Sequence, residues 1–307
     1  MTVQLLPADR YGLIRRSDAL EAGWSDSMLA AAVRRGELTR LALGVFVVGG
    51  PQFEGPGGAD SMYRLRCIAT STGARDGAAT VLSHHSAAAV HGLPLLDPPR
   101  GLVHVTSRSS RGGGLRSGRH VHTTSLSDDD VVDADGLAVT GLARTAVDIA
   151  ISSSFASALT VFDAVLRLGV DRSECQEQLA RRRGFGARRA WPALIAADGR
   201  AASVGESWSR AQMTEARLPM PHLQCEHRVG GRTYFSDFEW DSRLIGEFDG
   251  NHKYGRLRKP GESVADAVLR EKRREDDLRS LGFMVVRWDW ADLLHGRMVP
   301  KLRAWLH

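Results

Sequence analysis

The sequence has few cysteines and no pattern among them. Cys67, Cys175 and Cys225 are odd in number and lie far apart in a chain of 307 residues. Their spacing fits neither a disulfide framework nor a CxxC zinc site, which excludes a disulfide-rich secreted domain. We therefore expect a reducing, cytoplasmic environment.

Long apolar runs are also missing. No segment approaches the roughly 18 to 20 apolar residues that cross a bilayer. The first ten residues lack the basic start and apolar core of a signal peptide. The sequence therefore predicts neither secretion nor a membrane partner.

No region carries a large excess of charge of one sign. The 41 basic and 36 acidic residues give a net charge of +5 without a basic tail, so net charge alone does not identify a partner. Lysine is scarce, and its four positions are Lys253, Lys259, Lys272 and Lys301. With 43% hydrophobic and 25% charged residues, the composition is typical of a globular protein of one large or two to three ordinary domains.

Residues 1–50 predict a winged helix-turn-helix. Ser17 and Ser25 can each cap a short helix, Gly36 ends the second helix, and two short strands follow with a turn near Gly44. The second helix would enter the major groove while the hairpin contacts the DNA backbone. The alternative is a helical cap on a larger domain. The candidate DNA contacts are Ser25, Ser27, Arg34, Arg35 and Arg40.

Residues 51–60 are rich in proline and glycine and predict a linker, followed by an α/β middle region over 61–200. We expect a helix over 61–72 and then an alanine-rich helix over AATVLSHHSAAAVHGLP, which carries His84, His85 and His91. Since these three histidines do not share one helix face, we expect capping or core roles for them and no zinc site on this helix.

Residues 99–127 contain no acidic residue. Two predicted strands flank a loop rich in arginine, glycine and serine, a composition that suits contacts to phosphate. A solvated loop is the alternative. The candidate contacts are Arg108, Arg111 and Arg116.

Residues 201–307 predict a helix, three meandering strands, a helix, a buried strand and a last helix. Acidic residues fall on the first helix and on the second and third strands, where alternation places Glu247 and Asp249 on one face. Carboxylates so clustered can hold Mg²⁺ or Mn²⁺ for phosphodiester hydrolysis, with a nearby lysine to orient water or phosphate. The candidates are Glu206, Asp237, Glu247, Asp249 and Lys253, of which Asp237, Glu247 and Asp249 are the expected metal ligands.

The last long predicted helix, residues 263–281, is rich in charge of both signs. A surface helix with internal ion pairs is the main interpretation. Lys272 and Arg273 are the candidates for phosphate contact on it. Trp240, Trp288 and Trp290 are expected to pack in the core or at its rim.

The motifs GESWSR, SDFEW, IGEFDGNHKY and EKRREDDLRSLGFMVVRWDW make residues 205–294 resemble the PD-(D/E)XK nucleases, and most closely those related to very-short-patch repair endonucleases. The resemblance implies that Asp237 and Glu247 hold the metal and that Glu206 completes its shell. It places the family's lysine at Asp249, which is a departure. Either Lys253 takes that role or Asp249 is a third ligand.

The N-terminal motifs GLIRRSDALEAG and RRGELTRLALGVFVV resemble the winged-helix domain of AbiEi-like type IV antitoxins, with LSHHSAAAVHGLP and LARTAVDIA resembling the segment that follows it. This resemblance implies that the chain binds DNA and has a cognate toxin as a partner. The expected fold class is α+β and multidomain. No heptad or long apolar stripe demands a dimer.

Three functions follow as hypotheses. The first is a DNA-binding protein whose C-terminal nuclease cleaves double-stranded DNA with Mg²⁺ or Mn²⁺. The second is an AbiEi-like antitoxin or transcriptional repressor with a degenerate nuclease fold, which the missing lysine favours and the retained acids disfavour. The third is an adaptor that holds nucleic acid through the basic loop at 100–119.

Overall fold

The computed structural model describes residues 2–55, 57–73, 80–108, 112–241, 243–250 and 263–306. They form a mixed α and β protein, as predicted, whose contacts separate into two compact units. Unit 1 comprises Met1–Leu93 with Asp97–Ile149, and unit 2 comprises Pro94–Leu96 with Ala150–His307. The boundary near residue 150 lies inside the segment predicted as the middle region.

Unit 1 begins with two helices and a hairpin. The elements are β1 (Ile14–Arg15), α1 (Arg16–Glu21), α2 (Asp26–Arg34), β2 (Leu38–Ala42) and β3 (Val45–Val48). Strand β3 lies between β1 and β2 and is antiparallel to both. The predicted helix, turn, helix and hairpin are therefore confirmed. Ser17 is not the cap of α1, because that position is Arg15 and Ser17 lies in the first turn.

Helix α2 begins and ends where its sequence signals indicate. The Ser25 hydroxyl accepts a hydrogen bond from the Met28 amide at 3.3 Å, which satisfies one of the unpaired donors at the helix start. Leu29 and Ala32 are buried in the small core of this segment. Gly36 follows the helix with a φ of 74°, a conformation that favours glycine.

The rest of unit 1 is a six-stranded sheet with three helices, its strands in the order β6-β7-β5-β4-β9-β8. Helix α3 begins at Gly58, within the segment predicted as a linker. The predicted alanine-rich helix is wrong in its first part: the residues Thr80 to Leu82 form a strand, since they pair with the neighbouring strand, and the helix begins at His84. The elements are α3 (Gly58–Gly73), β4 (Thr80–Leu82), α4 (His84–His91), β5 (Val103–Ser107), β6 (Gly114–Arg116), β7 (Arg119–His122), β8 (Val131–Ala134), β9 (Leu137–Thr140) and α5 (Leu142–Ala150).

Unit 2 contains helices followed by a four-stranded sheet in the order β10-β11-β12-β13. Its last pair, β12 and β13, is parallel. The element order predicted from residue 205 onward is confirmed. The elements are α6 (Phe155–Arg167), α7 (Arg172–Ala180), α8 (Phe185–Ala196), α9 (Val204–Glu215), β10 (His222–Val229), β11 (Arg232–Trp240), β12 (Leu244–Asp249), α10 (Val264–Ser280), β13 (Met284–Asp289), α11 (Trp290–Leu294) and α12 (Met298–Arg303).

The core of unit 2 brings α9 close to the sheet. Trp240 and Trp288 are buried in it, and Trp290 packs edge-on against Phe248, so the three tryptophans have the packing roles predicted for them. A Cβ atom at Gly205 would lie 1.9 Å from the Phe248 ring. Only glycine therefore allows this approach, which carries the first turn of α9 to the edge of β12.

No helix among the described residues is long and apolar enough to cross a membrane.

Candidate nucleic-acid interface and acidic cluster

The five candidate DNA contacts at the N-terminus all lie on the protein surface. The Ser25 and Ser27 hydroxyl oxygens are 2.7 Å apart at the start of α2. Arg35 forms two hydrogen bonds of 2.8 Å to Glu37, and Arg40 on β2 donates to the Ala42 carbonyl at 3.4 Å.

The two ends of α2 differ in their free charge. Asp26 at its start is held by Arg16 through two bonds of 2.6 Å, which lower the pKa of Asp26. Arg34 at its end has no hydrogen bond or ion pair within the described part of the chain. The charge of Arg34 is therefore available for a phosphate.

Two of the three candidate arginines of the basic loop already have partners within the protein. Arg108 forms an ion pair of 2.5 Å with Asp128, which lies just beyond the stretch without acidic residues. Arg116 donates to the Gly112 carbonyl at 2.9 Å. Arg111 lies outside the described residues. A phosphate at Arg108 would have to displace a carboxylate.

Three of the predicted acids converge at one end of the unit 2 sheet. The Asp237 carboxylate accepts a 2.8 Å hydrogen bond from the Phe248 amide on the neighbouring strand. The Gln224 side-chain amide donates to Glu206 at 3.1 Å and lies 3.5 Å from Asp237. Burial, together with the nearby charges of Glu206 and Glu247, raises the pKa of Asp237 to about 7. We call Glu206, Asp237 and Glu247, with the residues that bind them, the acidic cluster.

The side chains of Asp237 and Gln224 lie where the backbone pairing of their strands is interrupted. The β11–β12 ladder ends at the pair Phe238 and Gly246, so the Asp237 side chain takes the place of the next backbone partner. Gln224 has a φ of 52°, rare for a residue other than glycine, and interrupts the β10–β11 ladder opposite Asp237. Sequence reasoning missed Gln224, because no sequence pattern marks a left-handed backbone conformation at a glutamine within a strand.

Glu247 is neutralised by two arginines. Arg274 on α10 approaches one carboxylate oxygen to 2.5 Å, outside hydrogen-bond angles, and Arg287 on β13 donates to the other at 2.9 Å. Arg287 also bonds Glu271 and Glu275, each at 2.8 Å. Burial opposes ionisation of Glu247, but the two guanidinium groups outweigh it and hold the pKa of Glu247 below its usual value.

The residue of α10 that reaches the acidic cluster is Arg274, and the phosphate contacts predicted for Lys272 and Arg273 stay predictions. Lys272 and Arg273 are exposed, whereas Arg274, the next residue, turns inward. The ion pairs expected within this helix do form, between Arg274 and Glu271 and between Arg279 and Glu275. The position of Arg287 directly beside Glu247 in the parallel pair could be found only once that pairing is known.

Glu206 mainly caps its own helix. One carboxylate oxygen accepts from the Ser203 hydroxyl and the other from the Ala202 amide, both at 2.8 Å. Asp249 lies half-buried at the end of β12. Lys253 lies outside the described residues, so its predicted role stays a prediction.

This donor set does not fit a Mg²⁺ shell that contains Glu247. Mg²⁺ requires carboxylate oxygens in near-octahedral geometry, but both oxygens of Glu247 face guanidinium groups and both oxygens of Glu206 accept hydrogen bonds. A cation here would also be repelled by Arg274 and Arg287. Among the described residues of the acidic cluster, Glu247 is arranged for ion pairing with Arg274 and Arg287.

Two uncharacterized proteins of Mycobacterium tuberculosis, from strains CDC 1551 and H37Rv, are each 37% identical to this chain over 155 residues. The match covers 49% of this chain and 54% of each relative, so the chain spans about half the length of the curated relatives it matches. The crystal structure of the RV2827C protein from M. tuberculosis is 20% identical, covering 73% of this chain and 85% of that one. Its TM-score of 0.38 carries no conclusion on fold or function.

Residues 2–49 match the family described as a transcriptional regulator, AbiEi antitoxin. The match contains the two helices and the hairpin and does not extend to residues 205–294. Residues 2–49 are therefore similar to the AbiEi antitoxin regulator family over the two helices and the hairpin.

Proposed function

We propose that this chain is a DNA-binding transcriptional regulator of the AbiEi antitoxin type. One observation carries the proposal: the segment that matches this family folds as two helices and a hairpin with its polar candidates exposed. Helix α2 has nine residues and is about 13 Å long. An α-helix with its side chains is about 10–12 Å in diameter, so it fits the major groove, which is about 12 Å wide.

The charges of this segment suit such a contact. Ser25 and Ser27 lie at the start of α2, where backbone amides also face outward and favour phosphate oxygens. Arg34 at the helix end and Arg40 on the hairpin are exposed cations without a carboxylate partner among the described residues. The hairpin turn between β2 and β3 exposes Leu43 to 88% of its possible surface, as suits a segment that meets a partner.

The test is a titration of duplex DNA taken from upstream of the protein's own coding region, followed by fluorescence anisotropy at several salt concentrations. Each phosphate contact contributes roughly 0.9 to the slope of log affinity against log salt. The double variant Arg34→Ala/Arg40→Ala is expected to weaken binding and to lower that slope by about 2. Arg228→Ala, an exposed arginine of unit 2, is the matched control and leaves the slope unchanged.

An unchanged slope in the double variant contradicts the proposed interface. Failure of the wild-type protein to bind any duplex contradicts the regulator assignment itself.

The same family match motivates the antitoxin part of the proposal. Expression of the product of the adjacent gene is expected to arrest growth, and co-expression of the full chain is expected to restore it. Co-expression of the Arg34→Ala/Arg40→Ala variant distinguishes two causes, because relief of growth arrest by a chain that does not bind DNA would come from a direct effect on the toxin and not from repression. Growth arrest that the wild-type chain does not relieve contradicts the antitoxin assignment.

Metal-dependent DNA cleavage is a second candidate, favoured by one observation. Asp237 lies beside Glu206 with a pKa of about 7, and carboxyl groups perturbed in this way concentrate at catalytic sites. Our proposal predicts no cleavage of supercoiled plasmid, duplex or single-stranded DNA with Mg²⁺ or Mn²⁺. Cleavage that is lost in Asp237→Ala and Glu247→Ala would replace the regulator assignment with a nuclease.

A further inference from the structure

Unit 1 gathers five of the chain's histidines into one group. The pairing of β5 with β7 is parallel and places His104 directly beside His120. Because side chains alternate along a strand, His122 lies on the same face as His120. The first turn of α4 adds two further rings to this face, and the group comprises His84, His85, His104, His120 and His122.

The nitrogen atoms of three of these rings are close enough for a common ligand. One nitrogen each from His104, His120 and His122 lies within 4.8 Å of the other two. His104 Nδ1 and His122 Nε2 are already 3.0 Å apart and share a proton. In a tetrahedral zinc site, nitrogens about 2.0 to 2.1 Å from the ion lie about 3.4 Å from each other. Small side-chain rotations would therefore bring the three nitrogens to bonding distance.

The surrounding structure holds these rings in place. The His104 carbonyl accepts from the Ser83 amide at 3.1 Å, and the His104 amide donates to the Ser86 hydroxyl at 2.7 Å. The His84 ring stacks on the His122 ring with centroids 3.7 Å apart. His84 itself has a φ of 51°, a left-handed conformation in a residue with a Cβ, and such strain concentrates at functional sites.

The group also contains polar atoms that the described protein does not satisfy. His85 Nδ1 and Thr106 Oγ1 are buried and have no hydrogen-bond partner in the described residues. Thr106 pairs directly with His122 across β5 and β7. Buried polar atoms are nearly always paired, so two orphans around three close imidazoles indicate a missing polar component.

The protonation of the rings suits a cation. Burial lowers the pKa of His104 to about 3 and that of His85 and His122 to about 4. Neutral imidazole is the form that binds metals. Arg144 is a cation near His84, and its charge is balanced by Asp130 at 2.9 Å and Asp148 at 2.8 Å.

We propose that His104, His120 and His122 form a site for a divalent transition-metal ion, with Zn²⁺ as the expected occupant. Imidazole ligands suit Zn²⁺, Cu²⁺ and Ni²⁺, whereas Mg²⁺ requires oxygen ligands. Three protein nitrogens leave a fourth position for water or an exogenous ligand.

The site is tested on the full chain after a chelator has been used and removed. Calorimetric titration with Zn²⁺ is expected to show one ion per chain, and Co²⁺ is expected to give the visible absorption of a low-symmetry nitrogen site. His104→Ala, His120→Ala and His122→Ala should each weaken Zn²⁺ binding by more than 10-fold, since loss of even an outer partner typically costs 10- to 100-fold. His222→Ala, an exposed histidine of unit 2, is the control and binds as the wild type does.

Absence of Zn²⁺ binding by the wild type overturns the proposal, and so does equal affinity in all three ring variants. Should those variants not fold, thermal unfolding of the wild type decides the question. A ligand that binds only the folded chain raises its unfolding temperature. A rise with Zn²⁺ that the chelator reverses and Mg²⁺ does not reproduce supports the site, and an unchanged unfolding temperature at excess Zn²⁺ refutes it.

Discussion

The acidic cluster of unit 2 and the group of five histidines in unit 1, here called the histidine cluster, both withdraw titratable side chains from water, but their surroundings act on the charge of these side chains in different ways. Glu247 stays ionised because Arg274 and Arg287 surround it. His104 and His122 become neutral because burial removes their protons. A cluster neutralised by counter-charges repels a further cation, whereas a cluster neutralised by proton loss keeps the lone pairs that bind one. We therefore expect the site richer in acids to be the poorer metal site.

The largest expected effect comes from removing both counter-charges of Glu247. The double variant Arg274→Met/Arg287→Met leaves a buried carboxylate unpaired, and losing the partner of a buried ion typically costs 3–5 kcal/mol. Because Arg287 is 34% exposed, we expect about 3 kcal/mol less free energy of unfolding at pH 7, measured with urea. Addition of Glu247→Gln should recover most of that loss. A double variant within about 1 kcal/mol of the wild type would mean that water, not arginine, neutralises Glu247.

A smaller effect is expected where α9 approaches the sheet. Gly205→Ala places a methyl group 1.9 Å from the Phe248 ring, and overpacking of this kind typically costs 1–3 kcal/mol. We expect about 2 kcal/mol, together with movement of Glu206 away from Asp237. Thermal unfolding measures the loss, and Gly101→Ala, where a Cβ meets nothing within 4 Å, is the control. Equal unfolding temperatures for the two variants would contradict this account of the packing.

Asp237 should make the stability of the chain depend on pH. Its folded-state pKa of about 7 exceeds its ordinary value of 3.8, so the folded chain binds the extra proton between these pH values. Stability is therefore present at low pH and is lost as the pH rises from about 4 through 7. The shift sets an upper limit of about 4 kcal/mol, and for a half-buried group we expect about 2.

Asp237→Asn keeps the bond from the Phe248 amide and cannot ionise. Between pH 4 and pH 8 its free energy of unfolding should fall by about 2 kcal/mol less than that of the wild type, which makes it the more stable protein at pH 8. Parallel profiles for the two proteins would show that Asp237 titrates at its ordinary pKa.

Local sequence signals predicted the elements better than they predicted the sites. The cap at Ser25, the glycine after α2 and the alternation along the second half of β11 are properties of neighbouring residues, and the structure follows them, whereas the first four residues of β12 are all buried. Strand β13 was expected to be buried, yet of its residues only Trp288 is fully so, because charged α10 partners face the strand. Register with a distant strand is not a local property.

Both clusters were missed in part because their contacts join residues that are distant in sequence. Carboxylates two residues apart on one strand gave a visible acid pattern, but the arginines that neutralise Glu247 come from α10 and β13. The histidines were judged on one helix, where they do not share a face. His104 and His120 meet only through the pairing of β5 with β7, 16 residues apart in sequence and on parallel strands. A pair of alternating histidines in RHVHTT is the signal that could have pointed to them.

The smallest expected change in the free energy of unfolding comes from removing a buried threonine hydroxyl, and its sign depends on whether that hydroxyl has a hydrogen-bond partner. Thr106→Val replaces a buried hydroxyl that has no partner among the described residues, and relieving such a group stabilises a protein by about 1 kcal/mol. Thr140→Val is the matched control, because the equally buried Thr140 hydroxyl shares a 2.7 Å hydrogen bond with Thr145, and its loss should destabilise by about 1 kcal/mol. Urea unfolding of the metal-free chain measures both. If Thr106→Val destabilises as Thr140→Val does, the Thr106 hydroxyl has a partner in solution and no longer indicates a missing polar component in the histidine cluster.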